Sequence, residues 1–298
     1  MTISPAERRA RASLPLMRFF QSYMPFNLAR WVNRQGLTQV TLPAGVTRQT
    51  VSTDGVRGEW IIPDGSPADS VLLYLHGGGF VYELSPLHVQ MLALLARRMN
   101  TRILAVDYRV APVDPFPASL EDCLTAYRWL LKQGIAPKQI VVAGDSAGGN
   151  LTITMMMSLR DCGEALPAAG ACLSPAGDLS ARENTTDLVN DPLLPPRAIR
   201  RYTASYVGNN DARNPLISPV FGDWRGLPPL LIHVGEDEIL RDDAVRMEAL
   251  AREAGVSVRL EVYPRMWHVW QLFLDMPEAQ RSLDDIAGFL GQHLGLAS

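Results

Sequence analysis

The spacing of apolar positions changes near residue 49 and divides the chain into two regions. Residues 1–40 intersperse arginines with large apolar side chains at helical spacing, and the pattern is interrupted near Pro25, which predicts two short helices. From Gln49 onward, short β-branched segments take over, and Asp54-Gly55 between two of them is a strong hairpin signal. The pattern predicts a helical arm followed by a domain of strands and helices.

After the hairpin, predicted strands and helices alternate to the end of the chain. Such alternation is typical of a mostly parallel, doubly wound α/β sheet, here of eight strands, with helices on both faces. Ligands bind to such sheets outside the carboxyl ends of the strands. The predicted strands are 49–53, 56–63, 70–75, 102–107, 140–143, 169–173, 230–234 and 257–263, and the predicted helices are 86–99, 119–133, 151–159, 196–207, 241–254 and 277–294.

One long segment, residues 175–228, breaks the alternation. A connection of this length within a domain commonly serves as a lid or a binding loop. We predict an N-terminal helical cap segment at 1–45, a catalytic domain at 46–298 and, within it, a second cap or lid segment at 178–215. From the residues alone, the N-terminal arm fits equally well as a cap over a pocket and as helices packed on the surface. The carboxylates of the long segment are expected to be solvated, namely Asp178, Asp187, Asp191 and Asp223.

The composition and net charge argue against several classes of partner and favour one cellular location. A net charge of −3 and a pI near 6.0 argue against nucleic acid as a partner. Three cysteines at spacings that match no metal site predict a reduced, cytoplasmic setting. The apolar stretch 14–26 is interrupted by prolines and an arginine, so it predicts neither a signal peptide nor a stable membrane anchor.

The stretch 140–150 carries the strongest signal for chemistry. A β-branched run leads into Gly144-Asp-Ser-Ala-Gly148, and a long apolar helix follows. This order of strand, tight turn and helix is the context in which G-x-S-x-G forms a nucleophile elbow. Ser146 is therefore the candidate nucleophile. The alternative is a glycine-rich turn without chemistry.

A serine nucleophile needs a base and a carboxylate that orients the base. His268 follows the last predicted strand and is the histidine that a strand's carboxyl end presents after Ser146 in the chain. A run of three carboxylates, residues 236–238, follows the strand 230–234, and local physics does not choose among Glu236, Asp237 and Glu238. The remaining histidines fit other positions: His76 and His88 precede the serine, His233 lies mid-strand in the core, and His293 lies in the last helix, at the surface.

An oxyanion hole needs backbone N–H groups aimed at the developing negative charge. Ala147, directly after the nucleophile, supplies one at a helix N-terminus. His76-Gly77-Gly78-Gly79 follows the third predicted strand, and its glycines allow backbone amides to approach a substrate closely.

Six short motifs occur along the chain. They are His76-Gly-Gly-Gly-Phe80, Asp107-Tyr-Arg-Val-Ala-Pro112, Phe116-Pro-Ala118, Gly144-Asp-Ser-Ala-Gly148, Asp237-Glu-Ile-Leu240 and His268-Val-Trp270. Together they resemble the bacterial hormone-sensitive-lipase-like esterases, in the branch with aspartate before the nucleophile. The resemblance covers the chain from about residue 49 and implies an α/β-hydrolase fold with a helical cap and hydrolysis of carboxylic esters.

By position, the resemblance implies a role for each site residue. Ser146 is the nucleophile, His268 the acid–base and Asp237 the orienting carboxylate. The amides of Gly78, Gly79 and Ala147 form the oxyanion hole, and His76 and Gly77 support that loop. The sequence departs from the family at Val113-Asp114, where a glutamate is usual.

The resemblance implies a serine carboxylesterase that uses no cofactor and no metal, with a small-molecule ester as its substrate. An apolar cap is expected to favour uncharged, short-to-medium acyl groups. Homodimers are frequent in the family, and the candidate surface for a dimer here is the last strand and helix. Alternatives are a lactonase, amidase or carbamate hydrolase with the same triad, and a non-catalytic small-ligand receptor. The cap residues expected to matter are Phe19, Phe20, Met24, Phe26 and Trp31.

Overall fold

A single eight-stranded sheet organises the chain in a computed structural model that describes residues 3–180 and 191–296. Its strands are β1 (Val46–Thr53), β2 (Val56–Pro63), β3 (Val71–Leu75), β4 (Arg102–Val106), β5 (Ile140–Asp145), β6 (Gly170–Leu173), β7 (Leu230–Gly235) and β8 (Val258–Tyr263). They lie in the order β1-β2-β4-β3-β5-β6-β7-β8. The pairs β1–β2 and β2–β4 are antiparallel and all other pairs are parallel, as the alternating pattern predicts.

Eight α-helices accompany the sheet within the described ranges. They are α1 (Pro5–Tyr23), α2 (Phe26–Leu37), α3 (Pro86–Met99), α4 (Ala118–Lys132), α5 (Ala147–Asp161), α6 (Pro196–Val207), α7 (Arg241–Glu253) and α8 (Pro277–His293). Helices α3 and α8 pack on one face of the sheet, and α4, α5 and α7 pack on the other. The central strands β3 and β5 are buried on both faces, which explains their continuous apolar sequence. The doubly wound fold is confirmed. None of these helices is long and apolar enough to cross a membrane.

Arginine side chains fasten the N-terminal helices to the rest of the molecule. Arg30 of α2 is buried and donates to the carbonyl oxygens of Val81 and Ala111. Arg201 of α6 donates to the carbonyl oxygens of Gln21, Ser22 and Met24 at the end of α1. Helices α1, α2 and α6 are hereafter called the cap helices. Arg201 joins α6 to the end of α1, and Arg30 joins α2 to the loops that follow β3 and β4. The boundaries 1–45, 46–298 and 178–215 stay predictions, and residues 181–190 of the last lie outside the described residues.

The long segment departs from the expectation that its carboxylates are solvated. Asp191 is fully buried and accepts hydrogen bonds from three backbone N–H groups, and Asp178 is buried and bonded to Arg246. The expectation is wrong for both because each carboxylate satisfies backbone or guanidinium donors, which offsets the cost of burial. Asp223 is exposed as expected, and Asp187 lies outside the described residues.

Candidate active site

Ser146 lies at the sharp turn between β5 and α5. Its backbone has φ 53° and ψ −114°, a conformation that a residue other than glycine adopts only when its surroundings enforce it. The glycines on either side explain how the turn closes. A Cβ on Gly144 would collide with the carbonyl of Gly148, and a Cβ on Gly148 would collide with the carbonyl of Leu75. The turn holds Ser146 at the carboxyl edge of the sheet.

His268 lies beside this serine, on the loop that follows β8. Its Nε2 is 2.9 Å from the Oγ of Ser146, and both side chains are almost fully buried. This distance allows the imidazole to accept the hydroxyl proton directly. The structure therefore brings together the two residues that the sequence indicates as nucleophile and base.

The predicted carboxylate partner, Asp237, is not beside His268. Its side chain is 44% exposed, with Oδ2 3.7 Å from the guanidinium of Arg11 in α1. Glu238 occupies the expected position instead, fully buried, with Oε1 3.8 Å from Nδ1 of His268. The placement of Asp237 is wrong because the turn after β7 directs residue 237 outward and residue 238 inward. The buried Ile239 and Leu240 that follow Glu238 are the sequence signal for this inward turn.

The Glu238 carboxylate is held in place from its other side. Its Oε2 accepts a hydrogen bond from the hydroxyl of Ser174 at 2.7 Å and from the backbone N–H of Gly235 at 3.0 Å. The Ser174 hydroxyl oxygen in turn accepts from the backbone N–H of Val269 at 3.1 Å. This chain of contacts connects Glu238, through Ser174, to the loop that carries His268.

Three carboxylates raise the pKa of His268. Burial alone would lower the pKa of His268, but Glu238 first, then Asp191 and Asp145, raise it above the usual range. Asp191 also accepts a hydrogen bond from the N–H of Ile239, so it connects the segment before α6 to the loop that carries Glu238. The site thus favours an imidazolium once the ring has accepted a proton.

The glycine loop after β3 faces the same space. Gly78 and Gly79 have φ of +122° and +61°, conformations that favour glycine, and both line one cavity with Ser146, Ala147 and His268. A Cβ on Gly79 would collide with the ring of Tyr202 in α6. The loop amides and the N-terminus of α5 border the volume in which a substrate carbonyl would lie beside the serine.

His76 and Gly77, the predicted supports of this loop, each make a hydrogen bond at its start. The Nδ1 of His76 is 2.8 Å from the Gly77 carbonyl oxygen, and its ring stacks on Tyr108. Burial lowers the pKa of His76 to about 4, so the ring is neutral at pH 7. The Gly77 N–H donates to Oδ1 of Asp145 at 2.8 Å.

Asp145 is a support that the sequence reasoning did not identify. Besides the Gly77 amide, this buried carboxylate accepts from the Tyr74 hydroxyl at 2.8 Å and has Nε2 of His88 at 3.1 Å. Burial would raise the pKa of Asp145, but His88 and these donors lower it. The available signal was His88 itself, a polar residue among apolar positions on the buried face of α3.

The cavity is bounded by the cap helices, but not by the side chains expected there. Its lining from α1 and α2 is Met17, Gln21 and Asn33. The expected set points elsewhere: Phe19, Phe20 and Trp31 are exposed, and Phe26 packs against the aromatic rings of Tyr82 and Tyr202. Met24 does not line the cavity either. Both faces of α1 carry apolar residues, so the sequence pattern could not show which of them faces inward.

The other histidines and the cysteines have structural surroundings. His233 is buried between Ser282 and Asp285, as a satisfied core histidine should be, and His293 is half-buried at the end of α8. Cys123, Cys162 and Cys172 are free. Within residues 3–180 and 191–296, no cluster of three potential ligands could hold a metal ion.

Comparison with known proteins identifies the family. A family model described as alpha/beta hydrolase fold matches residues 72–272. The chain is 41% identical to an acetyl-hydrolase of Streptomyces hygroscopicus over 235 residues, 78% of each protein. It is 37% identical to a crystal structure of an esterase from the bacterial hormone-sensitive lipase family, covering 99% of this chain and 100% of that one, with a TM-score of 0.89. The chain belongs to this family.

Further relatives agree on the chemistry. A crystal structure of a mutant of the esterase E40 matches with a TM-score of 0.90 at 38% identity, covering 99% of this chain and 100% of that chain. The carboxylesterase/phospholipase LipF of Mycobacterium tuberculosis is 35% identical over 90% of this chain and 73% of its own length. The protein is therefore a carboxylic ester hydrolase on the α/β-hydrolase fold.

Proposed function

We propose that this esterase hydrolyses carboxylic esters of short-to-medium acyl chains through the triad Ser146–His268–Glu238 and a covalent acyl-enzyme. The observation that carries the proposal is the 2.9 Å contact between Ser146 Oγ and His268 Nε2, with the opposite ring nitrogen facing a buried carboxylate. A hydroxyl, an imidazole and a carboxylate in this order form the constellation that activates a serine.

The reaction follows from this arrangement. Ser146 Oγ attacks the ester carbonyl while His268 accepts its proton, and the negative charge of Glu238 stabilises the imidazolium. The carbonyl oxygen becomes an oxyanion bound by the amides of Gly78, Gly79 and Ala147. Collapse of the tetrahedral intermediate breaks the bond to the alkoxy oxygen, which takes the proton from His268 and leaves as the alcohol. Water, deprotonated by His268, then hydrolyses the acyl-enzyme and regenerates the serine.

The size and the apolar walls of the cavity fit an uncharged acyl group of short-to-medium length. The volume of the cavity is about 230 Å³, below the roughly 300–1000 Å³ of most small-ligand sites. Its walls are mainly apolar, so a charged acyl chain would lose hydration without gaining a partner. The apolar side chains of its walls include Met17, Leu193, Leu194, Ile199 and Leu272.

A substrate panel with two variants tests the proposal. We expect p-nitrophenyl butyrate to be hydrolysed faster than lactones, anilides and carbamates, and Ser146→Ala or His268→Ala to lower kcat by about 10⁴-fold or more. The buried His233 offers a matched control, because His233→Gln changes a histidine outside the site. Near-full activity of Ser146→Ala would refute the proposal, and a lactone or amide preferred by orders of magnitude would refute the substrate class.

A further inference from the structure

The outward surface of the N-terminal cap helices exposes an unusual number of large apolar side chains. On α1, Leu16 is 59% exposed and Phe19 is 57% exposed, and on α2, Trp31 is 59% exposed. We call these residues and their exposed neighbours the apolar patch. Its members are Leu16, Phe19, Phe20, Tyr23, Leu28, Trp31 and Val32. Outside this patch, the large apolar side chains exposed in the described residues are scattered along the chain.

The helical spacing places arginines in line with the patch. Arg9, Leu16 and Tyr23 are seven residues apart, about two helical turns, and therefore share one face of α1. Arg8 and Arg9 are exposed at the start of that face, and Arg197 of α6 lies over the ring of Tyr23 at 4.7 Å. Aromatic and aliphatic groups bordered by arginines are typical of helices that lie in a lipid interface.

The charge of the cap helices is opposite in sign to that of the rest of the protein. Helices α1, α2 and α6 together contain nine arginines and a single acidic residue, Glu7. The whole chain has 31 acidic and 28 basic residues. Arg9 shares a face of α1 with the apolar patch and Arg197 lies over Tyr23. In contrast, Arg11 and Arg34 pair with carboxylates, and Arg30 is buried.

We propose that the apolar patch and its arginines form a reversible docking surface for anionic lipid. Docking would insert the patch at the level of the headgroups while the arginines contact the lipid phosphates. Met17 and Gln21, on the opposite side of α1, line the cavity of Ser146. The lipid phase would thus lie about one helix diameter, roughly 10 Å, from the cavity. Esters dissolved in that phase would reach Ser146 with a short path through water.

Charge favours lipid over a second copy of the chain as the occupant. In a symmetric dimer the same patch meets itself, so two arginine-rich surfaces would face each other. Like charges brought together in this way oppose association. An anionic lipid surface complements both the apolar and the basic character of the patch.

Vesicle binding by the full chain tests this inference. The probes are vesicles of phosphatidylcholine alone and of phosphatidylcholine with an equal part of phosphatidylglycerol, with binding measured by co-sedimentation. We expect binding to the anionic vesicles, about tenfold weaker in Arg8→Ser/Arg9→Ser at low salt, with the difference lost at high salt. Leu16→Ser/Phe19→Ser should weaken binding by about tenfold or more. Val245→Ser, which removes a side chain 45% exposed on α7, is the matched control and should bind as the parent does.

Trp31 supplies a second readout. All six tryptophans lie in the described residues, and the other five are buried or half-buried, so Trp31 is the one whose emission should shift to the blue on vesicle binding. The shift should disappear in Trp31→Phe.

Three results would overturn the inference. The first is that the protein does not bind anionic vesicles at low salt. The second is that Leu16→Ser/Phe19→Ser binds them as well as the parent does. The third is that this double substitution converts a dimer into a monomer, because a second copy of the chain would then be the occupant of the patch. Turnover of a water-soluble aryl ester is measured in parallel and should stay within about twofold of the parent. A failure of vesicle binding is thereby distinguished from a failure of the proposed catalytic mechanism.

Discussion

Exchanging Glu238 for glutamine tests whether Glu238, and not its neighbour Asp237, is the carboxylate partner of His268. The amide has almost the same shape, and its oxygen can still accept from Ser174 Oγ and the Gly235 N–H. The amide NH₂ then points toward Nδ1 of His268, where two N–H donors would face each other. The ring loses the charge that stabilises its protonated form and the contact that favours the active tautomer.

The expected loss follows from the geometry. Opposite charges separated by 3.8 Å, the distance from Oε1 to Nδ1, interact by about 4 kcal/mol at the effective dielectric constant of roughly 20 that describes protein sites. That free energy corresponds to about 10³-fold in rate. Loss of the active tautomer adds to it, so we expect kcat for p-nitrophenyl butyrate to fall by about 10³–10⁴-fold in Glu238→Gln.

Asp237→Asn is the matched control because it makes the same chemical change one residue earlier. Asp237 is exposed and pairs with Arg11 at the surface, where such pairs stabilise a protein by about 0–1 kcal/mol. We expect kcat to stay within about threefold of the parent. Circular dichroism and thermal unfolding verify that both variants fold. A folded Glu238→Gln with near-normal kcat, or a folded Asp237→Asn reduced by 10³-fold, would refute the assignment of Glu238.

Three further changes probe the surroundings of the site. Gly79→Ala adds a Cβ at a φ of +61° in the oxyanion loop, so kcat should fall by about 10²-fold or more with little change in KM; an unchanged kcat would contradict this role. Asp191→Asn removes a negative charge that raises the pKa of His268, so the acid limb of the kcat/KM–pH profile should move to lower pH; movement to higher pH would contradict the sign of the effect. Tyr74→Phe removes a buried hydrogen bond to Asp145, which should lower Tm by about 2–4 °C; an unchanged Tm would show that this contact does not stabilise the fold.

The fold could be predicted from the sequence because its determinants are local. The hairpin at Asp54-Gly55 and the helix start at Ser85-Pro86 both form as the turn and capping residues indicate. Helix α6, Pro196–Val207, agrees with its predicted range at both ends. The proximity of Ser146 and His268 could also be anticipated, because each follows a parallel strand and all such strands end at one edge of the sheet.

The orienting carboxylate could not be predicted, because three acidic residues in a row each satisfy the requirement of lying at a strand end. The backbone turn after β7, and not the residue type, decides that Glu238 points inward. The resemblance to a family selects Asp237 by its position in the motif Asp237-Glu-Ile-Leu240. Here a glutamate, longer by one methylene group, stands at the buried position.

The lining of the cap could not be predicted for a related reason. Helix α1 has apolar residues all round, so periodicity alone cannot distinguish the inward Leu14 and Met17 from the outward Leu16 and Phe19. The sequence predicts an exposed Asp191 because acidic residues are mostly exposed. Its three backbone donors come from two segments that lie far apart in the sequence.

The central claim is that Ser146 is the nucleophile, and covalent labelling tests it most directly. The protein is treated with a fluorophosphonate, digested, and analysed by mass spectrometry to locate the modified residue. We expect one phosphonyl group on Ser146, with labelling abolished in Ser146→Ala and strongly slowed in His268→Ala. Absence of a label, or a label on another serine such as Ser174 with Ser146 unmodified, would contradict the mechanism.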